Sequence, residues 1–100
     1  MLELTKENFD FVIRSGNDLI LFLYSPVSPK SHLALEAIKE IDQMVGKNFD
    51  ICLIDFSCQP EIAHALNAND PPETIIIKDQ KIHRRKTGIL YSNQILDLLK

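Results

Sequence analysis

The sequence predicts an α/β protein with a central mixed sheet and helices on both faces. Two patterns in its 100 residues carry that prediction. Short continuous apolar runs alternate with stretches of helical spacing, which favours strand–helix–strand units and parallel strand pairs. Near the C-terminus, two β-type runs flank Asp79-Gln80, a tight hairpin that makes the sheet mixed. The predicted order is β-α-β-α-β-α-β-β-α, in a single domain spanning residues 1–100.

Leu2 to Leu4 is the first short strand. Thr5 can cap a helix from Lys6 to about Ser15, in which Phe9, Val12 and Ile13 share one face. Gly16 and Asn17 stop it. Leu19 to Tyr24 is a continuous apolar run, as expected of a strand covered on both faces, and Phe49 to Phe56 is a second. Between them Ser28 to Val45 reads as a long helix. Leu33, Ala37, Ile41 and Met44 step along one of its faces, with Ala34, Ile38 and Val45 beside them. Pro60 stands where a helix can begin, and Ile62, Ala63, Ala65 and Leu66 form a short one ending near Asn67 to Asp70. Thr74–Ile77 and Lys81–Thr87 are the arms of the hairpin, and Gly88 breaks the second arm. Ser92 can cap a last helix that turns Ile95, Leu98 and Leu99 inward.

Composition excludes several classes. With 45% hydrophobic and 25% charged residues, three Gly and five Pro, the chain is neither disordered nor a fibrous repeat. Area scaling lets a chain of this mass bury about 65% of its unfolded surface, enough for one core without metal or disulfide staples. A net charge of −3 gives no electrostatic reason for a nucleic-acid or anionic-membrane partner. No apolar run approaches the ~20 residues of a membrane helix. The N-terminus lacks the basic start and apolar stretch of a signal peptide. A cytoplasmic location is therefore expected, where cysteines are usually reduced.

At the end of the second predicted strand the chain reads Leu23-Tyr24-Ser25-Pro26-Val27-Ser28-Pro29-Lys30-Ser31-His32. It continues through Leu53-Ile54-Asp55-Phe56, Gln59-Pro60-Glu61-Ile62-Ala63 and Pro71-Pro72-Glu73-Thr74-Ile75-Ile76-Ile77-Lys78 to Gly88. In order and spacing this series resembles the thioredoxin family, whose members commonly carry Phe-Tyr-Ala-Pro-Trp-Cys-x-x-Cys-Lys at the first of these places. The resemblance covers nearly the whole chain and implies a thioredoxin-like fold. It puts Pro72 at the family's cis-proline and Gly88 at the glycine that ends the last strand.

The same resemblance removes the family's chemistry. Ser28 and Ser31 stand at the positions of the two redox cysteines. Thiol–disulfide exchange needs a thiolate nucleophile and a second thiol to resolve the mixed disulfide. A serine hydroxyl cannot form an S–S bond. Phe22 lies where many members have a buried acid, and Val27 replaces the usual tryptophan. No catalytic residue is therefore assigned. The resemblance implies instead a shallow apolar groove lined by Val27, Pro29, Lys30, Pro71, Pro72 and Thr87, beside Ser28. Its implied partner is a protein or an extended peptide segment, with no cofactor and no metal. The alternative is a thiol–disulfide oxidoreductase represented here as a Cys-to-Ser double variant, since cysteine at both sites would read Cys-Pro-Lys-Cys.

The remaining signals have simple structural readings. Ser28 before Pro29 is a favourable helix start, with Ser at the N-cap and Pro at the first helical position. Cys52, inside an apolar strand, reads as an inert buried side chain, and Cys58 follows that strand toward solvent. Cys58, His32, His64 and His83 match no standard zinc spacing. His83-Arg84-Arg85-Lys86 lies on the last strand, where side chains alternate between faces and positive charge discourages edge-to-edge pairing. A nucleic-acid adaptor using Arg84, Arg85 and Lys86 ranks last, because the chain is acidic overall and lacks an aromatic platform.

Overall fold

The fold was described from a computed structural model covering residues 1–45 and 48–100. Nine elements follow one another: β1 (Leu2–Glu3), α1 (Phe9–Arg14), β2 (Leu19–Tyr24), α2 (Pro29–Val45), β3 (Asp50–Asp55), α3 (Pro60–Ala65), β4 (Glu73–Lys78), β5 (Lys81–Thr87) and α4 (Ser92–Leu98). The strands form one sheet in the order β1-β3-β2-β4-β5. β1, β3 and β2 run parallel, whereas β4 and β5 are antiparallel to their neighbours.

The uninterrupted apolar run of β2 is explained by its central place, since both of its faces are covered. Leu19, Leu21 and Leu23 point to one side, with Cys52, Ile54, Ile75 and Ile77, and meet Ile62, Ala63 and Leu66. Phe9, Val12 and Ile13 of α1 close that side. Ile20 and Phe22 point to the other, with Ile51 and Ile76, against Ala34, Ala37, Ile38 and Ile41 of α2 and Ile95 of α4. Each fully buried Leu or Ile side chain contributes about 1.5–3 kcal/mol relative to exposure.

Local chemistry explains the turns and the differences from the sequence reading. Asp79 and Gln80 take φ of 53° and 65°, the positive values that a type I′ hairpin turn requires. The first helix begins at Phe9 rather than Lys6. The Thr5 side chain does not cap it; instead the Asn8 Oδ1 accepts the Thr5 N–H at 2.8 Å, and the Thr5 carbonyl accepts from Asn8 and Phe9. In α4 the N-cap position belongs to Tyr91, not Ser92. The Gln94 Oε1 accepts the Tyr91 N–H at 2.8 Å, while the Ser92 hydroxyl is drawn away to the Glu40 carboxylate at 2.7 Å. α2 is rotated from its predicted register. Its core stripe is Ser31, Ala34, Ala37, Ile38 and Ile41, which leaves Leu33 and Met44 exposed.

The basic run of β5 also has a structural use. The register shift opposite Ile76 and Ile77 inserts His83 as an extra residue in β5. His83 and Arg84 consequently reach the end of α4 and the residues after it, where the Lys100 and Asp97 carbonyls accept from their side chains at 3.1 and 3.2 Å. The Lys78 ammonium donates to the Leu99 carbonyl. Arg85 projects to the opposite face and donates to the Leu66 carbonyl at the end of α3, at 2.7 Å. Lys78, Arg84 and Arg85 therefore satisfy carbonyls near helix C-termini, which the helices leave unpaired. Among the described residues, no helix is long and apolar enough to cross a membrane.

Candidate functional site

Strand pairing gathers the predicted site residues at one end of the sheet. Tyr24, the last residue of β2, pairs with Asp55, the last of β3, and Leu23 pairs with Glu73 at the start of β4. Glu73 in turn pairs with Thr87. The segment after β2, the Pro71-Pro72 turn and the Thr87-Gly88 exit therefore share the carboxyl end of the parallel strands, the edge at which open α/β sheets place their ligands.

The segment after β2 folds back into α2 through its serines. The Ser28 Oγ accepts the Ser31 N–H at 3.3 Å, so Ser28 caps the helix, with Pro29 as its first residue. Ser31 is buried, and its Oγ accepts the Ser25 N–H at 2.9 Å. His32 is exposed and its Nε2 makes its hydrogen bond with the Pro26 carbonyl at 2.7 Å. A cavity of about 120 Å³ lies beneath this turn, lined by Tyr24, Ser25, Pro26, Ser31, His32 and Leu35. Val27 stands out at 90% exposure, with Pro29 and Lys30 exposed beside it in sequence.

Across the sheet end, the Pro71–Pro72 peptide bond is cis, Pro71 is half-buried and Pro72 buried. The Pro72 carbonyl accepts the Gly88 N–H at 2.8 Å. Gly88 has φ +94°, a value that disfavours any side chain. Thr87 is exposed. Neither proline has an N–H, so this turn offers acceptors only. Phe22 is packed in the core.

Neither cysteine joins the serines. Cys52 is buried in the face covered by α1 and α3, and desolvation, followed by the charge of Asp50, pushes its thiol up to about 11. Cys58 is exposed one turn after β3. A hydrogen bond to the Asp55 carboxylate, and then the charge of that carboxylate, raise its thiol above the ordinary value. Partial desolvation tends to raise Asp55 as well, but bonds from Ser57 and Cys58 outweigh it and hold the carboxyl below its usual range. Tyr24 stacks on Phe22 and donates to Glu3 Oε1 at 2.9 Å. Desolvation, reinforced by that bond, raises its phenol. Among the described residues no group of His, Cys, Asp and Glu is arranged to hold a metal ion.

A larger cavity, of about 480 Å³, was not anticipated from the sequence. It lies between α2 and the segment that leads from β5 into α4, with Leu33, Glu36, Glu40, Ile89 and Tyr91 in its walls. Its one sequence signal is the apolar series Ile89-Leu90-Tyr91 directly after Gly88, outside any strand or helix spacing.

No family model and no curated protein matches the sequence. In structure the chain is similar to chloroplastic thioredoxin z, with a TM-score of 0.86 and 16% identity over 99% of this chain and 90% of that one. This likeness shows a thioredoxin-like fold.

Proposed function

We propose that this protein is a thioredoxin-fold binding module that works without dithiol exchange at Ser28 and Ser31. It holds an extended segment of a partner protein at the sheet end formed by Val27, Pro29, Lys30, Pro71, Pro72 and Thr87. The observation that carries this reading is the state of the two hydroxyls. Each accepts a backbone N–H of its own turn, and the ring of His32 is bonded to Pro26 rather than to either of them. A nucleophilic hydroxyl needs a base in hydrogen-bond reach, and a disulfide cycle needs sulfur at both places. The similar chloroplastic thioredoxin z is a protein for which type-specific target recognition is defined, which supports a recognition role.

Neither residue of the Pro71-Pro72 turn can donate and the Pro72 carbonyl already accepts from Gly88, so a partner donates to the Pro71 carbonyl, in the manner of strand addition. Insulin reduction driven by dithiothreitol tests the inactive half of the proposal, and the rate should equal the protein-free control. Reduction that disappears on changing Cys52 or Cys58 would overturn it. Binding of selected extended peptides should weaken on Val27→Asp, and indifference to that change would remove the groove.

A second reading, a thiol–disulfide oxidoreductase with serines in place of cysteines, is favoured by one observation. Residues 28 and 31 occupy the N-cap and third positions of a 17-residue helix, where a thiolate would be stabilised. The genomic codons for these residues decide it: serine codons end the second reading.

A further inference from the structure

We infer that the groove between α2 and the β5–α4 segment is a docking site for a partner segment that joins a bulky apolar side chain to a lysine or arginine. None of its lining residues belongs to the sheet end proposed above, so this is a separate surface.

The first argument is the apolar wall that the fold leaves uncovered. α2 buries Ala34, Ala37, Ile38 and Ile41 but leaves Leu33 62% exposed, although Leu33 lies on the apolar side of the helix. Tyr91 is 72% exposed and Ile89 37% exposed on the facing wall. Three large apolar side chains thus converge on one concavity of about 480 Å³, a size that seats a short peptide segment. A concavity walled by large apolar side chains with a few polar groups at its edge is the form that small ligand sites take.

The second argument is charge. Among the described residues that line the groove, the acids and bases are Glu36 and Glu40, with no lysine or arginine. They are four residues apart on α2 and share one face, so their carboxylates present a paired negative edge. Glu36 has an exposed pair with Lys39 at 3.6 Å, a contact too weak to neutralise it. Glu40 accepts the Ser92 hydroxyl across the groove, which fixes its carboxylate against the wall that carries Tyr91. A cation between the two carboxylates, next to an apolar group on Leu33, Ile89 and Tyr91, complements both features together.

The test is selection of random dodecapeptides displayed on phage against the full chain, followed by fluorescence anisotropy of the enriched peptide after synthesis. The expected enriched sequences pair a large apolar residue with Lys or Arg. Leu33→Ser with Tyr91→Ser should weaken binding by about tenfold or more, as truncation of anchors does. Glu36→Gln with Glu40→Gln, which keeps the Ser92 contact possible, should weaken it by several-fold and flatten its dependence on salt. Val27→Asp should leave it unchanged, which separates this groove from the sheet end. The four substituted side chains lie at the surface, and circular dichroism checks that each variant keeps the fold. Enrichment of acidic or uncharged peptides, retention of binding in the Leu33/Tyr91 variant, or loss in Val27→Asp overturns the inference. So does concentration-dependent dimerisation abolished by Leu33→Ser, which would assign the groove to a second copy of the chain.

Discussion

The guanidinium of Arg85 meets the carboxylate of Glu73 at 2.5 Å, and its other arm donates to the Leu66 carbonyl. Glu73 is the residue immediately after Pro72 and its side chain is 5% exposed. One side chain on the edge strand thus ties β5 to the end of α3 and to the start of β4. Loss of one partner from a buried pair leaves the other charge desolvated and alone.

Arg85→Met is therefore expected to destabilise the protein by about 1–3 kcal/mol, read as a shift of the urea unfolding midpoint. Arg85→Met combined with Glu73→Leu should be clearly less damaging, because the stranded carboxylate is gone. Equal losses for the single and double variants would show that packing, not desolvation, sets the cost.

The serine turn predicts a graded response. Ser28→Ala removes an N-cap acceptor and should cost about 1 kcal/mol. Ser31→Ala removes a buried hydroxyl that accepts the Ser25 N–H and should cost about 1–2 kcal/mol. Thermal unfolding of both variants measures the two effects, and the absence of any change in Ser28→Ala would contradict the capping geometry.

Asp55 predicts a linked change in acid stability and thiol reactivity. Its folded pKa lies below the ordinary value near 3.8, so its contribution to stability is present above that value and lost as pH falls through the folded one. Asp55→Asn should flatten this part of the acid limb of the stability curve. The same change removes the group that raises the Cys58 thiol. Alkylation of Cys58 by iodoacetamide at pH 8 should then become several-fold faster, while Cys52 stays unreactive until the protein unfolds.

The hairpin turn contains strain that glycine would relieve. Gln80 adopts φ 65°, a left-handed conformation that costs a side-chain-bearing residue about 1–2 kcal/mol, against about 0.4–1 kcal/mol of extra unfolded-state entropy for glycine. Gln80→Gly should stabilise the protein by about 0.5 kcal/mol on balance, measurable by calorimetry. A loss of stability would mean that the Gln80 side chain makes a compensating contact.

The parts of the fold that were legible are those whose signals are local. The apolar run Leu19–Tyr24 reads as a strand covered on both sides, and Ser28-Pro29 marks a helix start within two residues. α2 was legible as a helix but not in rotation. Its apolar residues occupy so wide an arc that only packing against β2 selects Ala34 and Ile38 over Leu33 and Met44. The extra residue in β5 was invisible, because a bulge depends on the register with β4 rather than on composition. The carbonyl contacts of Arg84 and Arg85 join residues 13 and 19 positions apart, beyond the reach of spacing rules. At the site, the serine turn could be read in sequence, whereas the groove at Tyr91 arises from the meeting of two distant segments.

The central place of β2 has a consequence for assembly during synthesis. Its parallel partner β3 begins 26 positions after β2 closes, and its antiparallel partner β4 begins 49 positions after, as residues 24, 50 and 73 show. The most apolar strand of the chain therefore leaves the ribosome before either flank of its sheet exists. Until β4 emerges, Leu19–Tyr24 must be shielded by the early helices or by a chaperone, because an unpaired apolar strand is an aggregation template.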